Sequence, residues 1–318
     1  MSTSSTGVRP PGARHRARRH RPGRLGRRAF TCWSALALAL ATPVASAAPA
    51  QAATPMYLGA AGNVQQLSQQ TGQPLATHAY AQFSNQVPQG RMLTVRTSAS
   101  WKQVAAAQPG SALYADILRW AQTVKGRPGP ILLAYHHEPE ASGSNGAGSS
   151  ADFVSAYRRV VSIFRAQGVT NVQFTWQMTA YAFRVPASDG RAAARWYPGD
   201  AYVDVVAADA YNWADCGKGS GRWEELSTLT DPVIAFARAH GKKAALAEFA
   251  SDPGARRAQW LTDAHKYLAA HVDVLTAAFY FNRGPTNGQN MDCSWTLTTR
   301  PEFTAFGDMA RDTSRFRT

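Results

Sequence analysis

The sequence is short of cysteine, has no acidic residue in its first stretch, and carries no apolar run long enough for a bilayer. Each shortage excludes something. Only Cys32, Cys216 and Cys293 occur, with no Cys-x-x-Cys pair, so neither a local zinc-ligand pair nor a thioredoxin-type motif is present. Residues 1–28 hold nine Arg and no Asp or Glu, and much of the formal net charge of +14 sits there. Without that segment 25 basic residues face 20 acidic ones, a net of +5. The basic balance belongs to the leader, and no nucleic-acid partner is expected. The apolar run from Ala29 to Val44 is interrupted by Thr31, Ser34, Thr42 and Pro43. It falls short of the ~20 apolar residues of a membrane span. No repeat of solenoid period occurs. The stretch Leu58-Gly59-Ala60-Ala61-Gly62-Asn63 only weakly imitates a Gly-rich phosphate loop, which argues against a doubly wound dinucleotide fold.

What stands at the N-terminus has the parts of an export signal: a basic region, the apolar run, and Ala45-Ser46-Ala47 before Ala48. Residues 1–47 are expected to be a secretory signal peptide, cleaved after Ala47 or, second, after Ala52. Arg27-Arg28-Ala29-Phe30 also resembles a twin-arginine signal, as an alternative to the general export route. The mature chain, 48–318, is expected to be secreted and extracellular, a monomer with no membrane contact after cleavage. Cys32 leaves with the signal. Cys216 and Cys293 then form an even pair in an oxidising compartment, where a disulfide is expected; two free buried thiols are the alternative.

From about residue 55, short β-rich runs alternate with segments of helical period. The strand candidates are Met56–Ala61, His78–Phe83, Met92–Thr97, Ile131–His137, Val172–Trp176, Val203–Tyr211, Ala244–Phe249 and Val274–Asn282. Several are nearly continuous apolar stretches, as parallel strands buried on both faces require. Helical spacing recurs in 112–125, at Phe153, Tyr157, Val160 and Phe164, at Trp260, Ala264, Tyr267 and Leu268, and around 302–312. Eight such pairs predict an α/β fold, a single (β/α)8 TIM barrel. The Gly/Ser-rich piece 141–150 reads as a flexible loop inside it.

In such a barrel the chemistry sits where strands end. The fourth run ends Tyr135-His136-His137-Glu138-Pro139-Glu140 and the seventh Leu246-Ala247-Glu248-Phe249. A carboxylate closing an apolar strand is costly unless paired or functional. Two facing one cleft are what glycosidic cleavage requires, one as acid and one as nucleophile. The sixth run adds Asp209, Tyr211 and Asn212, and a tyrosine hydroxyl can hold a nucleophilic carboxylate ionised. Trp176, Trp213, Tyr280, Phe281 and Trp295 are candidates for stacking on sugar faces. A metal site at His136-His137-Glu138 is disfavoured, since two His at i and i+4 on a helix are wanted. No cofactor or metal is expected.

The combination YHHEPE, FTW, WYPGDAYVDVVAADAYN and LAEFAS resembles glycoside hydrolase family 26, of the clan A retaining barrels, over essentially the whole mature chain. The resemblance implies Glu138 as acid/base, preceded by His137, Glu248 as nucleophile, and Tyr211 as the residue touching it. It further implies an endo-1,4-β-mannosidase-like enzyme on a β-linked polysaccharide, mannan first, β-glucan or xylan next. Two features depart from the family pattern. Where the mannanases read Arg-Pro-x-His-Glu, this chain has Ala134 at the Arg position, and the following loop lacks Trp. Arg96 on the third strand is the compensating candidate, and Trp295 the candidate aromatic after the eighth. A non-catalytic polysaccharide-binding barrel and a hydrolase of a different microbial exopolysaccharide remain the alternatives.

Overall fold

The computed structural model describes residues 54–141, 147–217, 219–284 and 293–318. The leader, both cleavage sites and residues 142–146 of the Gly/Ser-rich loop lie outside them. Eight parallel strands form the barrel: β1 (Met56–Gly62), β2 (Ala76–Gln82), β3 (Met92–Arg96), β4 (Ile131–Tyr135), β5 (Val172–Thr179), β6 (Val205–Asn212), β7 (Lys243–Ser251) and β8 (Leu275–Asn282). Each pairs with the next, and β8 pairs back onto β1, closing the sheet. All eight sequence-predicted strands are present, with ends moved by up to three residues. At closure β1 runs tight against β2. A Cβ at Gly59 would stand 2.1 Å from the Ala76 carbonyl oxygen, so only glycine fits there.

The connecting helices are α1 (Val64–Thr71), α2 (Trp101–Ala105), α3 (Ala112–Lys125), α4 (Ser150–Ala166), α5 (Leu226–Ala239), α6 (Arg257–Ala270) and α7 (Arg300–Arg311). The periodic segments read from the sequence are α3, α4, α6 and α7. Serines start three of the helices. Ser100 and Ser149 close capping boxes with Gln103 and Asp152, and Ser111 accepts from the Tyr114 amide. A final two-residue strand, β9 (Phe316–Arg317), pairs with β1 at Met56 and Tyr57. Among the described residues no helix is long and apolar enough to cross a membrane.

Two hydrophobic layers result, and they differ in side-chain size. Between strands and helices lie large groups such as Trp101, Trp120, Phe153, Phe164, Trp176, Trp260 and Phe306. The barrel interior is small by comparison: six alanines (76, 134, 207, 245, 247, 277) with Tyr57, Met92, Leu132, Val205 and Phe279. Small side chains leave space near the C-terminal ends of the strands for polar ones, and that is where the site lies.

Candidate active site

The segment after β4 is held from both sides. The amide of His136 donates to Val95 O on the β3 side (2.8 Å) and that of Glu138 to Gln177 O on β5 (3.0 Å). To serve both neighbours the chain enters the left-handed region at His136 (φ 53°) and Glu138 (φ 46°). Each such non-glycine residue costs about 1–2 kcal/mol. The strain therefore falls on the segment that carries the expected acid, and Glu138 lines the cleft. Trp101 Nε1 donates to His136 Nδ1 at 3.1 Å and stacks edge-on against that ring, fixing it.

Glu248 is aimed by a β-bulge. Against β6, Leu246 aligns with Ala208 but Glu248 with Asp209, so β7 carries one extra residue, Ala247. The β8 ladder shows the same excess between Leu246 and Phe249. Ala245 and Ala247 face the interior, so simple alternation would turn Glu248 outward. The bulge turns it inward beside Asp209, while Phe249 packs outward on Trp260. The Ala247 carbonyl, at the bulge, accepts from His78 Nδ1 at 2.9 Å.

Glu248 is almost wholly buried and receives a hydroxyl on each oxygen, Tyr80 on Oε1 and Tyr211 on Oε2. Burial raises its carboxyl above the ordinary range, and the two tyrosine bonds and Arg283 pull it back. Asp209 stands well above its ordinary range through burial and the charges of Glu248 and Glu138. Asp209 is thus the better home for a proton, and Glu248 the better anion. Both tyrosines stay phenols: burial and then the charge of Glu248 push each well above its usual value.

Asp209 ends a buried row that crosses the barrel. Its oxygens lie 2.8 and 3.0 Å from Gln177 Nε2, Gln177 Oε1 lies 2.9 Å from Thr94 Oγ1, and Thr94 Oγ1 lies 2.7 Å from His78 Nε2. With the amide in that orientation Thr94 donates to Gln177, and His78 must donate from both nitrogens, as an imidazolium facing an Asp209 anion. With the amide turned over, Asp209 is a carboxylic acid and His78 is neutral, its one N–H on the Ala247 carbonyl. Both arrangements hold the same net charge. Burial pushes His78 down to about 3, and Asp209 is pushed up, so the neutral row is favoured. His136 and His137 are likewise pushed down to about 4 by burial, which makes His137 an orienting group and not a proton carrier.

These groups open into one cleft of about 1510 Å³, larger than the ~300–1,000 Å³ of a drug-sized site. The structure brings Glu138, Glu248, His137, Asp209, Tyr211, Arg96 and Trp295 together on its lining, with Trp213 and Phe281. Three sequence candidates lie elsewhere. Trp176 is fully buried outside the barrel against Phe183, Tyr197 and Phe236. β5 runs three residues past it, and alternation gives the inward place to Gln177. Asn212 is fully buried beyond the site, donating to Ser251 Oγ at 2.9 Å and accepting from the Glu224 amide at 2.9 Å. Tyr280 also misses the cleft; its hydroxyl donates to Trp295 O at 2.8 Å. Sequence reasoning missed Tyr80, His78, Gln177 and Arg283. The alternation His78-Ala79-Tyr80 on β2 was the available signal for two of them.

Cys216 and Cys293 are bonded to each other, with Cα atoms 5.2 Å apart. The bridge ties the loop after β6 to the segment after β8 that carries Trp295. That segment has a second anchor in Arg257, fully buried, which donates to Ser294 O (2.7 Å) and Thr296 O (2.8 Å) and faces Glu302 at 3.5 Å. Among the described residues no three His, Cys, Asp or Glu side chains form a metal-binding group.

The sequence profile of glycosyl hydrolase family 26 matches residues 87–285. The chain belongs to that family. The family 26 chain is 29% identical over 196 residues to endoglucanase H of Acetivibrio thermocellus, covering 59% of this chain and 21% of that one. It thus spans about a fifth of the length of that relative. Among solved structures, a family 26 β-mannanase from Bacteroides ovatus superposes with a TM-score of 0.51 at 14% identity, over 84% of this chain and 87% of that one. The family 26 domain of an endo-β-mannanase/endo-β-glucanase from Prevotella bryantii gives 0.50 at 12% identity, over 81% and 92%. At these identities the two structures speak to the fold, a closed barrel with helices between strands.

Proposed function

We propose that this family 26 protein is a secreted retaining glycosidase that cleaves a β-linked polysaccharide by double displacement. The carrying observation is the pairing of two strand-end carboxylates in one cleft, one of them turned inward by a bulge and held by two tyrosine hydroxyls. Glu138 protonates the leaving oxygen while Glu248 attacks the anomeric carbon. In the second step Glu138 takes a proton from water, which displaces Glu248. Asp209 keeps the proton of the buried pair, so Glu248 stays an anion, and Tyr80 and Tyr211 hold one oxygen each of the attacking carboxylate. His137 and the cleft aromatics orient the sugar. The names of the relatives direct the search to β-glucan and β-mannan. The basic–apolar leader and the disulfide support an extracellular site of action.

The test is a screen on mannan, galactomannan, mixed-linkage glucan, xylan and microbial polysaccharides with the wild type, Glu138→Gln and Glu248→Ala. Each variant should lose about 10³-fold or more in kcat/KM. The first product seen by NMR should keep the β configuration. Activity that survives both substitutions, or an inverted first product, would sink the assignment.

A further inference from the structure

Five arginines line the cleft: Arg96, Arg184, Arg191, Arg222 and Arg283. Two have carboxylate partners, Arg184 on Glu224 at 2.5 Å and Arg191 on Asp189 at 3.0 Å. The other three have exposed side chains and, among the described residues, no ion pair. They come from separate sectors of the barrel mouth: Arg96 from the end of β3, Arg222 from the loop after β6, Arg283 from just past β8. Their charge reaches the catalytic groups. Arg283 lowers Glu248 and His78, and Arg96 lowers His136 and His137.

The acids on the described lining do not balance them. Glu224 is taken by Arg184. Asp209 is held neutral, and Glu140, pushed up to about 7 by burial, is only partly ionised near neutrality. Glu138 and Glu248 are the other acids on the described lining, beside three guanidinium groups that form no ion pair among the described residues. Like charges gathered round one mouth repel each other, and a neutral sugar relieves none of that repulsion. A carboxylate or sulfate does, and a guanidinium fork fits either with two parallel hydrogen bonds.

We infer that the natural substrate is an acidic β-linked polysaccharide, whose carboxylate or sulfate groups are gripped by Arg96, Arg222 and Arg283 around the catalytic pair. The inference rests on the glycosidase reading for its chemistry but on the arginines for its specificity. Neutral mannan and glucan then become poor versions of the true substrate.

Trp213 and Trp295 line the cleft, so tryptophan fluorescence reports occupancy. Wild type, Arg96→Gln, Arg222→Gln, Arg283→Gln and Arg238→Gln are titrated with soluble β-1,4-glucan and β-1,4-mannan. Each polymer is supplied neutral, oxidised at C6 to the carboxylate, and sulfated, at ~20 mM and ~500 mM salt. Arg238 pairs with Asp273 on the opposite side of the barrel, before β8, and serves as the remote control. On at least one backbone a charged form should bind wild type about 10-fold or more tightly than its neutral parent at low salt. High salt should erase the preference. Each cleft variant should lose about 3–10-fold of it, and Arg238→Gln none. Tighter binding of the oxidised form identifies carboxylate as the group, and of the sulfated form sulfate. No preference for a charged form on either backbone overturns the inference, as does equal loss in Arg238→Gln. The two readings fail separately. Neutral glycan cleaved with no charge preference removes this one alone; charged polymer bound tightly, but cleaved equally by Glu138→Gln, removes the catalytic assignment alone.

Discussion

Tyr80 shows how one hydroxyl can decide the state of a buried carboxylate. It donates to Glu248 Oε1, while Tyr211 serves Oε2. Burial works against the anion, and these two bonds are the main forces on the other side, ahead of Arg283. In Tyr80→Phe the ring keeps its volume beside His78 and His137, but Oε1 loses its donor. The neutral form of Glu248 then gains, so its pKa rises further. Turnover that needs the anion should fall about 10–100-fold, since a hydrogen bond to a charged group contributes about 1.5–3 kcal/mol. The acidic limb of the kcat/KM profile should also move to higher pH. A lowered rate with an unmoved acidic limb would mean that Tyr80 only shapes the cleft. Thr94 occupies a similar pivot in the buried row. Replacing it with Val takes away the partner of His78 Nε2 and of the Gln177 amide atom that faces Thr94, while the other end of the amide keeps Asp209.

At the scale of elements, the strands were legible because parallel strands buried on both faces are apolar runs, and all eight are where the runs lie. Which side chains point inward was less legible. β5 looks finished at Trp176 by its apolar content, yet it continues to Thr179, and a period of two then places Trp176 outside. The β7 bulge leaves no mark in the sequence, because Ala244, Ala245 and Ala247 suit either face equally well. Glu248 could be picked as a strand-end acid, but the device that turns it inward could not. Tyr80 stood unnoticed because β2 ends without a carboxylate. The segment after β8 is similar: its cysteine was visible, while Arg257 as its buried anchor was not. That segment holds Trp295 against Tyr211, ring centroids 4.8 Å apart. The disulfide closes a loop between residues 77 positions apart. Cys293→Ser should therefore lower unfolding stability by about 2–4 kcal/mol and raise KM by loosening Trp295. Urea unfolding of the wild type with and without reductant gives the check. A reduced protein as stable as the oxidised one would assign the hold to Arg257 alone.

Over the whole molecule, buried titratable groups pull stability in opposite directions with pH. His136 and His137 are pushed down to about 4 and His78 to about 3, against 6.5 when unfolded. Below pH 6.5 the unfolded chain takes up protons that the fold refuses, so these three lower stability as pH falls. Glu140, Asp209 and Glu248 do the reverse. Glu140 is raised from 4.5 to about 7, with one oxygen on Thr179 and the other, Oε2, buried with no hydrogen-bond partner among the described residues. As pH rises from 4.5 to 7 the unfolded chain releases a proton that folded Glu140 keeps, so its contribution is present at the acid end and lost toward neutrality. Asp209 and Glu248 are raised as well and act in the same sense. The two sets act in opposite senses between about pH 4.5 and 6.5, so each offsets part of the other. Glu140→Gln retains the oxygen that accepts from Thr179 and removes one proton site. Its stability should then fall on acidification across that window, by on the order of 2–3 kcal/mol relative to wild type. Urea unfolding of both proteins at three pH values decides it. Parallel profiles would show that Glu140 titrates as an ordinary carboxylate and that burial does not hold its proton.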